Sequence, residues 1–135
     1  MIAPKEIAME SRSSLIPATV EKLLSDSELK ARLNGRESAF RIAVSEALAN
    51  AVTHGNHNQP SKRVFIRYCC EPNDALSILI RDEGHGFDPG NLSVPTNVGE
   101  DRNRGIYLMK SCMDETQFRN SGTEIYMRMN GRRQA

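Results

Sequence analysis

No apolar run in the 135-residue chain approaches the ~18 residues that a membrane-spanning helix needs. The opening residues, Met-Ile-Ala-Pro-Lys-Glu, hold no apolar signal-peptide segment, and nothing in them points to secretion. Cysteine is scarce. Cys69, Cys70 and Cys112 are odd in number and two are adjacent, which suits neither a disulfide framework nor a metal-ligand spacing. Reduced thiols in a cytoplasmic protein are the expectation. Net charge is nearly absent too: 18 basic against 17 acidic residues leave +1, without the basic excess of a nucleic-acid binder. There are no repeats, low-complexity tracts or Pro/Gly/Ser-rich linkers. Nor is there a Gly-x-Ser-x-Gly, a His-Glu-x-x-His or a pair of cysteines at redox spacing.

What is present fits one globular domain over residues 1–135, with 39% hydrophobic and 26% charged residues. Residues 5–10 alternate weakly and suit a short strand. Pro17 opens a helical stretch with Val20, Leu23, Leu24, Leu29 and Leu33 at helix-like intervals, and Asn34-Gly35 stops it. A second helix is predicted from about Arg36 to Thr53, with Gly55 where a C-terminal cap belongs. The rhythm then changes. Lys62–Cys70 and Ala75–Asp82 read as strands around the turn Glu71-Pro72-Asn73-Asp74. Gly84 to Glu100 holds four glycines and two prolines and reads as irregular. A short helix fits Gly105 to about Met113. Two last strands, about Glu115–Arg119 and Thr123–Met129, flank the hairpin loop Asn120-Ser121-Gly122. Helices first and strands later predict an α+β fold, a two-layer α/β sandwich. Its sheet would be mixed and mostly antiparallel, with helices on one face.

Four segments carry groups that can do chemistry. In the second helix Glu46, Asn50 and His54 recur at i, i+4 and i+8 and form a polar stripe beside an apolar face. A carboxylate one turn from a carboxamide oxygen suits Mg²⁺ and a hydroxyl or water nucleophile. The same stripe fits a solvated helix face. Asp82-Glu83-Gly84-His85-Gly86 follows an apolar strand. A carboxylate there can accept from an exocyclic amine such as that of adenine, while Gly84 and Gly86 let backbone come close to a flat ring or a phosphate. A plain glycine turn would look alike. Gly99 to Ile106 is a polar loop entering a helix, with Arg102 and Arg104 suited to phosphate. It lacks the lysine and Ser/Thr of a Walker A loop. Ser121-Gly122-Thr123 turns into the last strand. His57 and His85 have no metal-like partners nearby in sequence.

The order and spacing of the four segments resemble the Bergerat ATP-binding fold, the superfamily of gyrase, histidine kinases and mismatch-repair ATPases. Ser45-Glu46-Ala-Leu-Ala-Asn50-Ala-Val-Thr-His54-Gly55 and Arg104-Gly105-Ile-Tyr-Leu-Met-Lys-Ser-Cys-Met-Asp114-Glu115 look like the bacterial anti-sigma-factor serine/threonine kinases. The resemblance covers about Ser11 to Met129. It implies ATP and Mg²⁺, with Asn50 on the metal and Glu46 as base for the attacking hydroxyl. Asp82 would bind the adenine amine, with Gly84 and Gly86 beside the purine and Thr123 lining the pocket. Arg104 and Gly105 would lie in a phosphate-covering lid that includes residues 87–103, and His54 would have a supporting, phosphate-side role. The implied partners are a small antagonist protein that is phosphorylated and a sigma factor or similar regulator, with a homodimer as the assembly and no direct contact with nucleic acid or membrane. Two alternatives stay open: an ATP-dependent binding module without catalysis, and the detached catalytic domain of a histidine kinase. The chain has no helical pair with a phosphoacceptor histidine upstream of the motifs, which a whole histidine kinase would need.

Overall fold

The structure, a computed structural model, describes residues 3–86 and 100–131, with backbone alone for 100–102. Strand β1 (Lys5–Glu10) leads through a 3-10 turn into α1 (Ile16–Leu24), α2 (Ser27–Leu33) and α3 (Glu37–Asn50). Strands β2 (Arg63–Cys70) and β3 (Leu76–Arg81) follow, then α4 (Glu100–Cys112), β4 (Glu115–Arg119) and β5 (Glu124–Met129). The five strands form one sheet in the order β1-β2-β3-β5-β4, and every described pair is antiparallel. The sheet expected to be mostly antiparallel is thus wholly so among the described residues.

The alternation of β2 and β3 decides which face is covered. Val64, Ile66 and Tyr68, with Leu76, Ile78 and Ile80, are buried together with the apolar sides of the helices. The opposite face holds Arg67 with Glu6, and Arg81 stacked 4.3 Å from the centre of the Phe65 ring. α3 supplies the centre of the core: Phe40, Ala43, Val44, Ala47 and Leu48 are all fully buried. Truncating Phe40 to alanine would cost about 3–5 kcal/mol on that basis.

The helical stretch opened by Pro17 is two helices. Ser25-Asp26 interrupts it, because the Asp26 side chain accepts from the amides of Glu28 (3.0 Å) and Leu29 (3.3 Å) and so starts a new helix. The other carboxylate oxygen of Asp26 accepts from the Lys5 ammonium (2.8 Å) and the Tyr68 hydroxyl (2.7 Å), which ties α2 to β1 and β2. Asn34 in the left-handed region (φ 49°) ends α2, and Gly35 follows at φ 88°.

Candidate functional site

α3 presents Glu46 and Asn50 one turn apart, both half-buried. The regular helix ends at Asn50. Residues Ala51–Gly55 form a π turn, closed by the Asn56 amide donating to the Ala51 carbonyl at 2.8 Å. His54 lies on this π turn and is half-buried. Of the three residues expected on one stripe, Glu46 and Asn50 are on α3 and His54 is on the π turn that continues it. Gly55 is also not a left-handed cap, since it lies outside the positive-φ residues.

What Gly55 does is make room. A Cβ there would lie 2.2 Å from Asp82 Oδ2 and 2.3 Å from its Cγ. Asp82 leaves the end of β3 buried, at 6% exposure, and its position is over-determined. Its amide donates to the Thr123 carbonyl (3.0 Å), which prolongs the β3–β5 ladder past Arg81 and Glu124. Its Oδ1 accepts from the Gly84 amide at 2.8 Å. Gly84 and Gly86 bring chain against chain. A Cβ on Gly84 would sit 2.0 Å from the Gly55 carbonyl oxygen, and one on Gly86, at φ 82°, 2.0 Å from that of Ser121. Both glycines thus close a corner beside Asp82. Thr123, half-buried, stands beside that corner, with its hydroxyl donating to the Asn120 carbonyl at 2.8 Å.

A second cluster joins α3 to α4. Gly105 is buried, and a Cβ on it would lie 2.7 Å from Glu46 Oε2, so α4 packs directly over the Glu46 carboxylate. Here the structure corrects the sequence reading. α4 begins at Glu100, so Gly105 lies in the helix interior and not at its N-terminus. The unpaired amides of a helix belong to its first four residues. Gly105, expected at the start of the helix, therefore supplies no N-terminal anion site and instead serves close packing. Arg104 is on α4 and exposed. Of the expected lid, residues 87–99 lie outside the described residues, and 100–103 are the first turn of α4.

The structure thus gathers Asp82, Gly84, Gly86 and Thr123 at one corner, and Glu46 and Gly105 at the α3–α4 contact. Two contributors escaped the sequence reading. Gly55 reads as a cap from the sequence, whereas a glycine just before a polar turn also permits the close approach to Asp82 that it makes. Asn56 is fully buried and bonded to Glu83 and Arg63, and no sequence pattern marks it. Among the described residues no group of three or more His, Cys, Asp and Glu forms a metal cage.

Residues 13–129, which include Glu46, Asn50, Asp82 and Thr123, match a family model described as the histidine kinase-like ATPase domain. The chain belongs to that family. Curated relatives of this ATPase domain include the anti-sigma F factor of Oceanobacillus iheyensis, 33% identical over 98 residues, covering 65% of this chain and 65% of that protein. The serine-protein kinase RsbW of Bacillus subtilis is 34% identical over 106 residues, covering 70% of this chain and 66% of that protein. The same-named kinase of Staphylococcus epidermidis is 35% identical over 98 residues, covering 64% and 61%. The chain therefore spans slightly under two thirds of the length of these relatives. No helix among the described residues of the domain is long and apolar enough to cross a membrane.

Proposed function

We propose that this ATPase-family domain binds Mg-ATP and transfers the γ-phosphoryl group to a serine or threonine hydroxyl of a small antagonist protein, thereby controlling a sigma factor or similar regulator in the cytoplasm. The observation that carries the reading is the buried Asp82 carboxylate, clasped by the Gly84 amide and packed against Gly55 of the turn that follows the helix carrying Glu46 and Asn50. The printed names of the relatives, anti-sigma F factor and serine-protein kinase, support the direction of the chemistry.

In this reading Asp82 accepts a hydrogen bond from the adenine amine, and its fixed position excludes a base that presents a carbonyl there. Gly84, Gly86 and Thr123 shape the adenine side of the pocket. Asn50 holds Mg²⁺ through its carboxamide oxygen; the ion neutralises triphosphate charge when bound. Arg104 adds positive charge on the phosphate side, and His54 supports that side from the π turn. Glu46 accepts the proton of the substrate hydroxyl as its oxygen bonds to the γ-phosphorus and the bond to the β-γ bridging oxygen breaks, leaving ADP. Such transfer depends chiefly on positioning and charge neutralisation. The assembly in this reading is a homodimer.

A second reading, an ATP-dependent clamp without transfer, is favoured by one feature: α4 packs directly over the Glu46 carboxylate. Single-turnover transfer from labelled ATP to the antagonist, followed by acid treatment, separates the readings. We expect acid-stable label, as for phosphoserine or phosphothreonine, whereas acid-labile label would indicate a histidine kinase domain. Glu46→Gln should bind Mg-ATP nearly normally and transfer about 10²-fold more slowly, the scale for losing a general base. No transfer to any such protein by the unaltered chain makes the clamp the function.

A further inference from the structure

The geometry points to Asn56 as the residue that positions Asp82 and so sets selectivity for the adenine base; this rests on the ATP-binding reading above. Asn56 is polar yet fully buried, which costs free energy unless its groups are paired. Both are. Its Oδ1 accepts from the Glu83 amide at 2.8 Å, and its Nδ2 donates to the Arg63 carbonyl at 3.0 Å. The Arg63 amide in turn donates to Glu83 Oε1 at 2.6 Å. Asn56 therefore bolts the peptide immediately after Asp82 to the start of β2.

The backbone on its other side completes the hold. The Asn56 amide closes the π turn onto Ala51 at 2.8 Å, and that turn presses Gly55 against the Asp82 carboxylate. One residue thus couples the end of the helix that carries Glu46 and Asn50 to the loop that carries Asp82. A purely structural asparagine would stabilise the fold without affecting which base is bound. A positioning asparagine affects the adenine end alone, because its side chain bonds the Asp82 loop and the start of β2, while only its backbone amide, which Asn56→Ala keeps, reaches the end of α3.

The test is calorimetric binding of ATP, GTP, adenosine and tripolyphosphate to the full chain and to Asn56→Ala. We expect ATP and adenosine affinity to fall roughly 3- to 10-fold, the scale of one intramolecular hydrogen bond. GTP and tripolyphosphate should change less than twofold, so the ATP/GTP ratio shrinks. In an Asp82→Asn background, Asn56→Ala should add less than twofold, since a residue acting through Asp82 has nothing left to position. An unchanged ATP/GTP ratio alongside a lowered melting temperature overturns the inference, as does full additivity with Asp82→Asn. If Asn56→Ala does not fold, the unaltered protein decides by NMR. Adenosine should shift the Asn56 side-chain amide and Glu83 amide signals, and tripolyphosphate should leave them in place. Adenosine binding with both signals unmoved overturns the inference. Failure of the unaltered protein to bind either ATP or adenosine would instead remove the ATP reading on which it rests.

Discussion

Asp82 and Asp26 are both carboxylates with fixed partners, and they are fixed for different ends. Asp82 spends Oδ1 on the Gly84 amide and has Gly55 packed against Oδ2. Asp82→Asn keeps the shape, but its amide must turn an N–H either toward the Gly84 amide or toward an incoming adenine amine. A hydrogen bond to a charged group is worth ~1.5–3 kcal/mol, so ATP affinity should fall roughly 10- to 100-fold by calorimetry. GTP should bind the unaltered protein poorly. Asp26, by contrast, serves stability. The Lys5 ammonium first, then the Tyr68 hydroxyl, pull its pKa down to about 2, against the opposing effect of burial. An unfolded aspartate titrates near 3.9, so the folded state binds this proton less readily. The stabilisation is present above about pH 4 and is lost as the pH falls through about 2. With half-exposed Lys5 screened by solvent, it amounts to on the order of 1–2 kcal/mol. Asp26→Asn should lower stability at pH 7 and flatten its decline between pH 4 and 2 in urea titrations. An unchanged acid limb would refute the role.

At the scale of elements, the contact that matters most for the proposed chemistry is α3 against α4. Gly105 is the point where α4 comes down on Glu46. An added Cβ there, 2.7 Å from Oε2, meets the far end of a flexible side chain, so the carboxylate moves and the helices stay. Alanine in a helix interior is favoured over glycine by up to about 1 kcal/mol. Gly105→Ala should therefore melt no lower than the parent and bind ATP within about twofold. Its transfer should still fall, by up to roughly 10²-fold, because a small misplacement of a reacting group is costly. A variant that is both more stable and fully active would contradict the seating of Glu46. This contact also shows what the sequence could not say. The strands β2 and β3 are legible because alternation is a local property of neighbouring residues. Asp82 is legible because it follows such a strand and precedes two glycines. The split between α1 and α2 was hidden because Leu23, Leu24, Leu29 and Leu33 keep helical spacing across the Asp26 cap. The π turn has no residue pattern of its own, and Gly55, Asn56 and Gly105 owe their roles to segments distant in the chain. Gly105 reads as a helix start because glycines bracket the polar loop before it, while here it answers to Glu46, 59 positions earlier.

For the whole molecule, the proposed site draws on residues from four different elements of the fold. Asn50 ends α3, Asp82 leaves β3, Thr123 enters β5, and Arg104 rides on α4. A ligand that engages all four binds the folded chain and not the unfolded one, so its binding free energy adds to stability. At a concentration 100 times Kd this contributes about 2.7 kcal/mol. For a domain of this size that corresponds to a rise in melting temperature on the order of 5–15 °C. Mg-ATP should deliver this shift, and ATP with excess chelator should deliver much less, because the triphosphate charge is then opposed by Arg104 without the metal. Asn50→Ala separates the two contributions. If Asn50 holds the metal, the variant should show the same small shift with ATP whether or not Mg²⁺ is present, and its shift with adenosine should equal that of the parent. A full Mg²⁺-dependent shift in Asn50→Ala would place the metal on other oxygens and leave the carboxamide as the polar side of an ordinary helix.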